Sequence, residues 1–248
     1  MSIQPVWDSR AHELQAARGV QLCMVPAGPL QGRPVELAFR FRPAAMVGGD
    51  FLDFFWLDKQ RLVLYLGDVA GKGLPAALYG ALVAGTLRGF HKSGVPPPDL
   101  IELLNQRLRI RVFPGHYCAV QYAVFNAASG EIRYASAGLP PPLHITATDC
   151  FQLDGGGLPP AMFDGSRYEV FTAQLAAGDA MLFATDGLTD ARNAQQEEFG
   201  MEQLVQVCAR HRKEPAENLM SLIFEALDTF VAGAPQHDDI TAAILKIA

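Results

Sequence analysis

A chain of 248 residues with a net charge of −6 is long enough to bury a real core, in one large domain or two small ones. Half of the residues are hydrophobic and 19% are charged, which excludes an intrinsically disordered chain. The acidic balance argues against nucleic acid or an anionic membrane as partner. Met1–Asp8 lacks the basic-then-apolar order of a secretory signal, and the longest apolar stretch, Ala76–Gly85, is too short to cross a bilayer. Cys23, Cys118, Cys150 and Cys208 show no C-x-x-C spacing and read as reduced, mostly buried thiols. A cytoplasmic protein is expected.

Ser9 to about Val25 has helical spacing, with Ser9 as N-cap and Ala11, Leu14 and Ala17 on one stripe; Pro26 to Pro34 ends it. Val35–Arg42 alternates apolar and polar residues, a half-buried strand. Phe51–Leu57 and Arg61–Leu66 read as strands joined by a turn at Asp58-Lys59-Gln60. Leu74 to about His91 is helical with Pro75 in its first turn, and after the linker Pro96-Pro97-Pro98-Asp99 a second helix covers Leu100–Val112. Strands follow at Tyr117–Phe125, Glu131–Ala135, Pro142–Thr146, Phe151–Leu153, Tyr168–Ala173 and Asp179–Thr185. Helices at Met201–His211 and Ala216–Val231 precede a last strand, Ile240–Ile247. Helix pairs segregated from runs of antiparallel strands predict an α+β fold: a four-layer α/β/β/α sandwich with two central antiparallel sheets. Residues 1–34 read as an N-terminal linker or dimerisation helix and loop, and 35–248 as the main domain.

Four aspartates stand at glycine-rich or polar turns beside apolar runs: Asp50 in Val47-Gly48-Gly49-Asp50-Phe51, Asp68 in Gly67-Asp68-Val69-Ala70-Gly71-Lys72-Gly73, Asp186 in Thr185-Asp186-Gly187-Leu188-Thr189-Asp190, and Asp238 in His237-Asp238-Asp239-Ile240-Thr241. Taken singly, each is a turn residue, because Asp and Gly favour turn geometry. Taken together they suggest more. Met181-Leu182-Phe183-Ala184 is a buried strand, and an acid at its exit is expensive to bury unless it pairs or binds metal. Adjacent carboxylates at 238 and 239 repel, and a divalent cation relieves that repulsion. An all-oxygen donor set suits Mg²⁺ or Mn²⁺, and metal-assisted hydrolysis of a phosphate ester is the leading chemistry.

These motifs, with Ala137-Gly138-Leu139-Pro140-Pro141-Pro142-Leu143, resemble those of the metal-dependent protein phosphatase family (PPM, protein phosphatase 2C type) and occur in that family's order. The chain resembles most its bacterial branch, the SpoIIE/RsbU-like serine phosphatases. The resemblance implies hydrolysis of phosphoserine or phosphothreonine by a metal-activated water at two Mn²⁺ or Mg²⁺ ions, with room for a third, weaker one. It assigns Asp68 as the bridging ligand, the Val69 carbonyl to one shell, Asp50 to one ion largely through water, and Asp186 with Asp238 to the other. Asp53 and Asp239 become groups that orient metal waters, Lys72 a phosphate contact, and His237 a proton donor to the leaving group. For Lys72 a solvated loop lysine, and for His237 a structural strand-edge histidine, are the competing readings. The segment Glu13 to Pro26 resembles the helix that joins sensor to phosphatase in this branch and mediates dimerisation. Without a sensor before it, the sequence reads as a catalytic domain on its own.

Leu139 departs from the branch, which often carries His there, and Ala70 stands where eukaryotic relatives place an active-site His. The implied partner is a phosphorylated regulatory protein, a STAS-type anti-sigma-factor antagonist in a partner-switching pathway; the N-terminal helix is expected to contact a second copy or a regulator. Two other readings stand beside this one: a catalytically weak phosphatase-fold module that senses a partner, and a hydrolase of small phosphate esters. No P-loop or dinucleotide fingerprint supports nucleotide binding.

Overall fold

Alternation with period two builds the centre of the molecule. In the computed structural model, which describes residues 5–32, 34–90 and 94–248 and the side chains of the first helix from residue 10 onward, the strands β1 (Val35–Arg42), β2 (Phe51–Trp56), β3 (Arg61–Val69), β4 (Cys118–Asn126), β5 (Glu131–Ala137), β6 (Leu143–Ile145), β7 (Cys150–Gln152), β8 (Phe171–Gln174), β9 (Ala180–Ala184) and β10 (Ile240–Ile247) form two sheets. Their orders are β1-β10-β9-β6-β7 and β2-β3-β4-β5-β8, and every pairing is antiparallel. Leu62, Leu64 and Leu66 of β3 face Leu37, Met181, Phe183, Ala243 and Leu245 in the layer between the sheets. Val63, Tyr65 and Val69, one residue out of phase, face the other way.

That outer face is covered by α2 (Gly73–Phe90) and α3 (Pro97–Arg109), through Ala76, Val83, Leu87, Leu100, Ile101 and Leu104. The other sheet is covered by α4 (Gly200–Arg210) and α5 (Ala216–Val231), through Leu204, Cys208, Leu219, Met220 and Ile223. The result is the expected four-layer α/β/β/α sandwich. Burying a leucine in such a layer is worth roughly 1.5–3 kcal/mol, so the three apolar layers dominate its stability. Cys118, Cys150 and Cys208 are buried and Cys23 is exposed, all as free thiols. No described helix is long and apolar enough to cross a membrane.

Several boundaries shift from the sequence expectation. The first helix, α1, runs Pro5–Met24, starting before Ser9, whose side chain lies outside the described residues. The expected end of α2 at His91 also lies outside them; α2 extends through Phe90. β3 continues past Leu66 to Val69, so Asp68 belongs to the strand: Asp68 pairs with Ala119 and Gly67 with both Phe51 and Val120. Gly67 permits this because a Cβ there would lie 2.2 Å from the Phe51 ring and 2.5 Å from the Ala119 carbonyl oxygen. α3 begins at Pro97, since prolines fit a first turn, and Leu100 donates its amide to Pro96. The expected strand at Tyr168–Ala173 shrinks to β8, because Tyr168 is buried against the α2–α3 layer.

Candidate metal centre

The alternation that fills the inter-sheet layer also aims the polar residues at its end. Following Leu62, Leu64 and Leu66 along β3, the next residue on the inner face is Asp68. Two residues before Leu52, and just ahead of β2, is Asp50. Beyond Met181 and Phe183 on β9 is Thr185, and Thr241 and Asp239 precede Ala243 and Leu245 on β10. Four separated segments thus deliver acids and hydroxyls to one end of the gap between the sheets. Asp186 opens a 3-10 turn, Asp186–Leu188, directly after β9, its carbonyl accepting the amides of Thr189 and Asp190.

Asp50 is 2% exposed. Its Oδ2 accepts a hydrogen bond of 3.0 Å from the Thr185 hydroxyl, while Oδ1 and the hydroxyl of Thr241 are both buried without a hydrogen-bond partner among the described residues. Burial, then the charge of Asp68, raise the Asp50 carboxyl well above its ordinary value; Asp239 adds to this, and the nearby hydroxyls of Thr241 and Thr185 partly offset it. Asp68 is pushed up to about 7, first by burial and then by the charges of Asp186 and Asp238. Asp186 is raised by burial, then by Asp190 and Asp238. Buried and half-buried carboxylates that repel one another in this way favour a cation between them.

The donor set fits a hard divalent ion. Its groups are oxygens, one buried carboxylate oxygen has no protein partner, and neither thiolate nor imidazole is among the assigned ligands. No group of three or more described His, Cys, Asp or Glu side chains is arranged to enclose one ion by itself. An ion held here would take the rest of its shell from water or backbone carbonyls, which suits Mg²⁺, an ion that usually keeps several waters.

Close backbone approach explains the glycines. A Cβ on Gly48 would lie 2.0 Å from Oδ2 of Asp239, one on Gly49 2.9 Å from the Val69 carbonyl oxygen, and one on Gly187 1.9 Å from the Asp239 carbonyl oxygen. Asp239, 8% exposed, accepts the amides of Ala44 at 2.7 Å and Gly49 at 2.6 Å. It pins the 44–50 loop, and with it Asp50, onto the start of β10. Its contacts are with this backbone, whereas the sequence suggested a role in orienting metal waters.

Asp53 is turned away from the cluster. It lies on the helix-facing side of β2, where it pairs with Arg88 and receives the Phe54 amide at 2.8 Å and the Tyr65 hydroxyl at 3.3 Å. The suggestion that it orients metal waters is corrected: two positions from Phe51, it shares the face that α2 covers. Lys72 donates to the His237 carbonyl and stands 3.7 Å from Oδ2 of Asp238, so it closes the loop over that carboxylate. Leu139 is buried in the inter-sheet layer, 5% exposed, where it packs rather than faces solvent.

Sequence reasoning missed several contributors. Thr185 and Asp190 sat inside a quoted motif without a role. Gln21 exchanges two hydrogen bonds with Gly48, through Nε2 to the carbonyl at 2.7 Å and from the amide to Oε1 at 3.2 Å. His116 has Nε2 3.7 Å from where a Gly71 Cβ would sit, its ring 4.3 Å from that of Phe113. Nothing in the local pattern around Gln21 or His116 announces these contacts.

The sandwich and its acidic end define a class. Its backbone superposes on the SiaA-PP2C domain of Pseudomonas aeruginosa with a TM-score of 0.87, covering 100% of both chains at 19% identity, a likeness of fold. Residues 58–248 match the family of stage II sporulation protein E (SpoIIE), and the chain belongs to that family. It is 25% identical over 238 residues to the phosphoserine phosphatase RsbU of Bacillus subtilis, covering 94% of this chain and 70% of that one. It is 27% identical to the structure of the RsbU and RsbW domains of Rv1364c from Mycobacterium tuberculosis, with a TM-score of 0.75, covering 90% of this chain and 61% of that one. It spans between 24% and 45% of three further curated relatives.

Proposed function

We propose that the chain is a metal-dependent protein phosphatase that removes phosphate from phosphoserine or phosphothreonine on a regulatory protein. The observation that carries this reading is the convergence of mutually repelling carboxylates, the buried Asp50 and the half-buried Asp68 and Asp186, beside Asp238 and Asp239 at one end of the inter-sheet gap. Membership of the SpoIIE family and likeness to RsbU support it.

Asp68, with the Val69 carbonyl, would hold two ions of Mn²⁺ or Mg²⁺, Asp50 one of them and Asp186 with Asp238 the other. Bound divalent ions lower the pKa of water and neutralise charge on phosphoryl oxygens. The protein's own part is placement. Asp239 fixes the loop bearing Asp50, and the Thr185 hydroxyl fixes the Asp50 carboxylate. Lys72 holds the His237–Asp238 segment and is a side-chain cation available to an arriving phosphate. Residues 1–34 act as a regulatory segment on a catalytic unit of 35–248, in contact with a second copy or a regulator.

The substrate is a STAS-type antagonist, recognised through its folded surface, because the acidic cleft offers little positive charge to grip phosphate alone. The test is kcat/KM on a phosphorylated STAS protein against a phosphopeptide of the same local sequence. A clear preference for the folded protein is expected; equal values would remove the partner-switching assignment.

A further inference from the structure

The segment that joins α3 to β4 runs beside the acid-bearing end of β3. Asp68 pairs with Ala119 and Val69 with Cys118. One step on, the Tyr117 carbonyl accepts the Ala70 amide at 3.0 Å. Nε2 of His116 then stands 3.7 Å from where a Gly71 Cβ would sit. A folded protein that offers a phosphorylated side chain to the carboxylates comes within reach of this segment.

The charge here runs against that of the chain. Leu103–Tyr117 holds Arg107, Arg109, Arg111 and His116 and no Asp or Glu, in a chain of net charge −6. Arg109 is engaged by Asp164 at 3.4 Å. Arg107 and Arg111 are exposed and have no ion pair among the described residues. They stand four residues apart, with Ile110 between them in αR backbone at the end of α3, so both cations belong to one end of the helix.

Apolar side chains are interleaved with these cations. Ile110 is 65%, Val112 57% and Phe113 50% exposed. Phe113 shares an open hollow with Leu74, Leu78 and Leu82 of α2. The loop is held in shape by its own contacts: the His116 amide donates to the Phe113 carbonyl at 3.1 Å, and the two rings lie 4.3 Å apart. Exposed apolar area of this kind marks an interaction surface. Unpaired guanidiniums beside it choose the partner by charge. A second copy packed on this face about a two-fold axis would set arginine against arginine, and a chain of net charge −6 is repelled by an anionic bilayer.

We propose that Arg107, Ile110, Arg111, Val112 and Phe113 form a docking face for the folded phosphoprotein substrate, which meets it with carboxylates and apolar side chains on the surface around its phosphorylated residue. This rests on the phosphatase reading above and supplies, outside the acidic centre, the positive charge that the centre lacks. The face acts on capture of the protein and not on the chemical step.

The test uses the full chain with Mn²⁺, a phosphorylated STAS protein, the phosphopeptide of the same local sequence, and p-nitrophenyl phosphate. Arg107→Glu combined with Arg111→Glu should lower kcat/KM on the folded protein about tenfold or more, through KM, and Val112→Asp should lower it in the same way. Turnover of p-nitrophenyl phosphate and of the peptide should stay within about twofold, because neither reaches the face. Raising the ionic strength from about 0.05 to about 0.5 M should weaken capture of the folded protein by the unaltered chain, and have little effect on the double variant. Unchanged kcat/KM on the folded protein in the double variant overturns the docking face alone. So does an equal loss on all three substrates. A change of sedimentation in the double variant, or binding of the unaltered chain to phosphatidylglycerol vesicles that the variant loses, overturns it in favour of a second copy or a membrane. Equal kcat/KM of the unaltered chain on protein and peptide removes the face together with the partner reading. Absence of p-nitrophenyl phosphate turnover by the unaltered chain strikes instead at the phosphatase reading.

Discussion

Gln21 and Gly48 exchange a pair of hydrogen bonds across 27 residues of chain, and this pair ties α1 to the turn that carries Asp50. α2 presses on the same turn, since a Cβ on Gly80 would sit 2.7 Å from the Gly49 carbonyl oxygen. A movement of α1 is therefore felt two residues from a buried carboxylate of the site. Gln21→Ala should lower turnover and raise the Mn²⁺ concentration needed for half-activity, with a stability loss on the order of 1–2 kcal/mol for two part-buried hydrogen bonds. Turnover against Mn²⁺ concentration, with a urea melt beside it, checks this; unchanged metal dependence would uncouple α1 from the site.

The exposed side of α1, with Val20 65% and Leu22 50% exposed, gives the helix little to bury on its own domain. Removal of residues 1–34 should change the sedimentation behaviour or the activity of the remainder. Identical sedimentation and activity would leave α1 as a helix that packs only on its own domain.

Asp68→Ala and Asp186→Ala should abolish turnover while the metal-free fold keeps or gains stability, because each removes a charge that its neighbours repel. Thermal melts in chelator and turnover in saturating Mn²⁺ check the two halves separately. Near-normal turnover of either variant would refute its role in the centre.

The same repulsion sets a pH dependence. Asp68 is raised to about 7 in the folded chain from an ordinary value of 3.8, so between those values the folded state binds more protons than the unfolded one. Its contribution is then fully favourable below about pH 4 and is lost as pH rises through 7. Metal-free protein should lose melting temperature from pH 5.5 to 7.5, and Asp68→Asn should flatten that slope. A slope unchanged by the substitution would contradict the assignment of the repulsion to Asp68.

Gly48→Ala and Gly187→Ala drive a methyl group into Asp239. Each should cost about 1–3 kcal/mol of stability and most of the activity. By contrast Asp53→Asn removes only the pairing with Arg88 and should leave turnover within about twofold, its partner being half exposed. A tenfold loss in Asp53→Asn would restore it to the site.

The layers of the fold were legible because apolar alternation and paired helices follow from local sequence. Val35–Arg42 and Ile240–Ile247 lie where alternation puts them, and they pair along their whole length. The ends were less legible. Gly67-Asp68 reads as a turn, yet the glycine is there so that β3 can pass under Phe51, and the strand carries the acid outward on the inner face. Acids at strand ends were visible as a pattern, but which way each turns was not. Asp53 and Asp239 look equivalent in sequence; pleat parity sends one to Arg88 and the other to the amides of Ala44 and Gly49. Gln21, Thr185 and His116 act across long sequence separations, which no local period encodes.

The central claim is that the acidic end of the inter-sheet gap works through divalent metal on a phosphorylated side chain. The most direct measurement is release of inorganic phosphate from a phosphoserine-bearing STAS protein, made on the full chain after exhaustive chelation and desalting and again after adding Mn²⁺ or Mg²⁺. Loss of release on chelation and its recovery with metal, Mn²⁺ serving at least as well as Mg²⁺, is the predicted result. Full phosphate release from the chelated protein would contradict it.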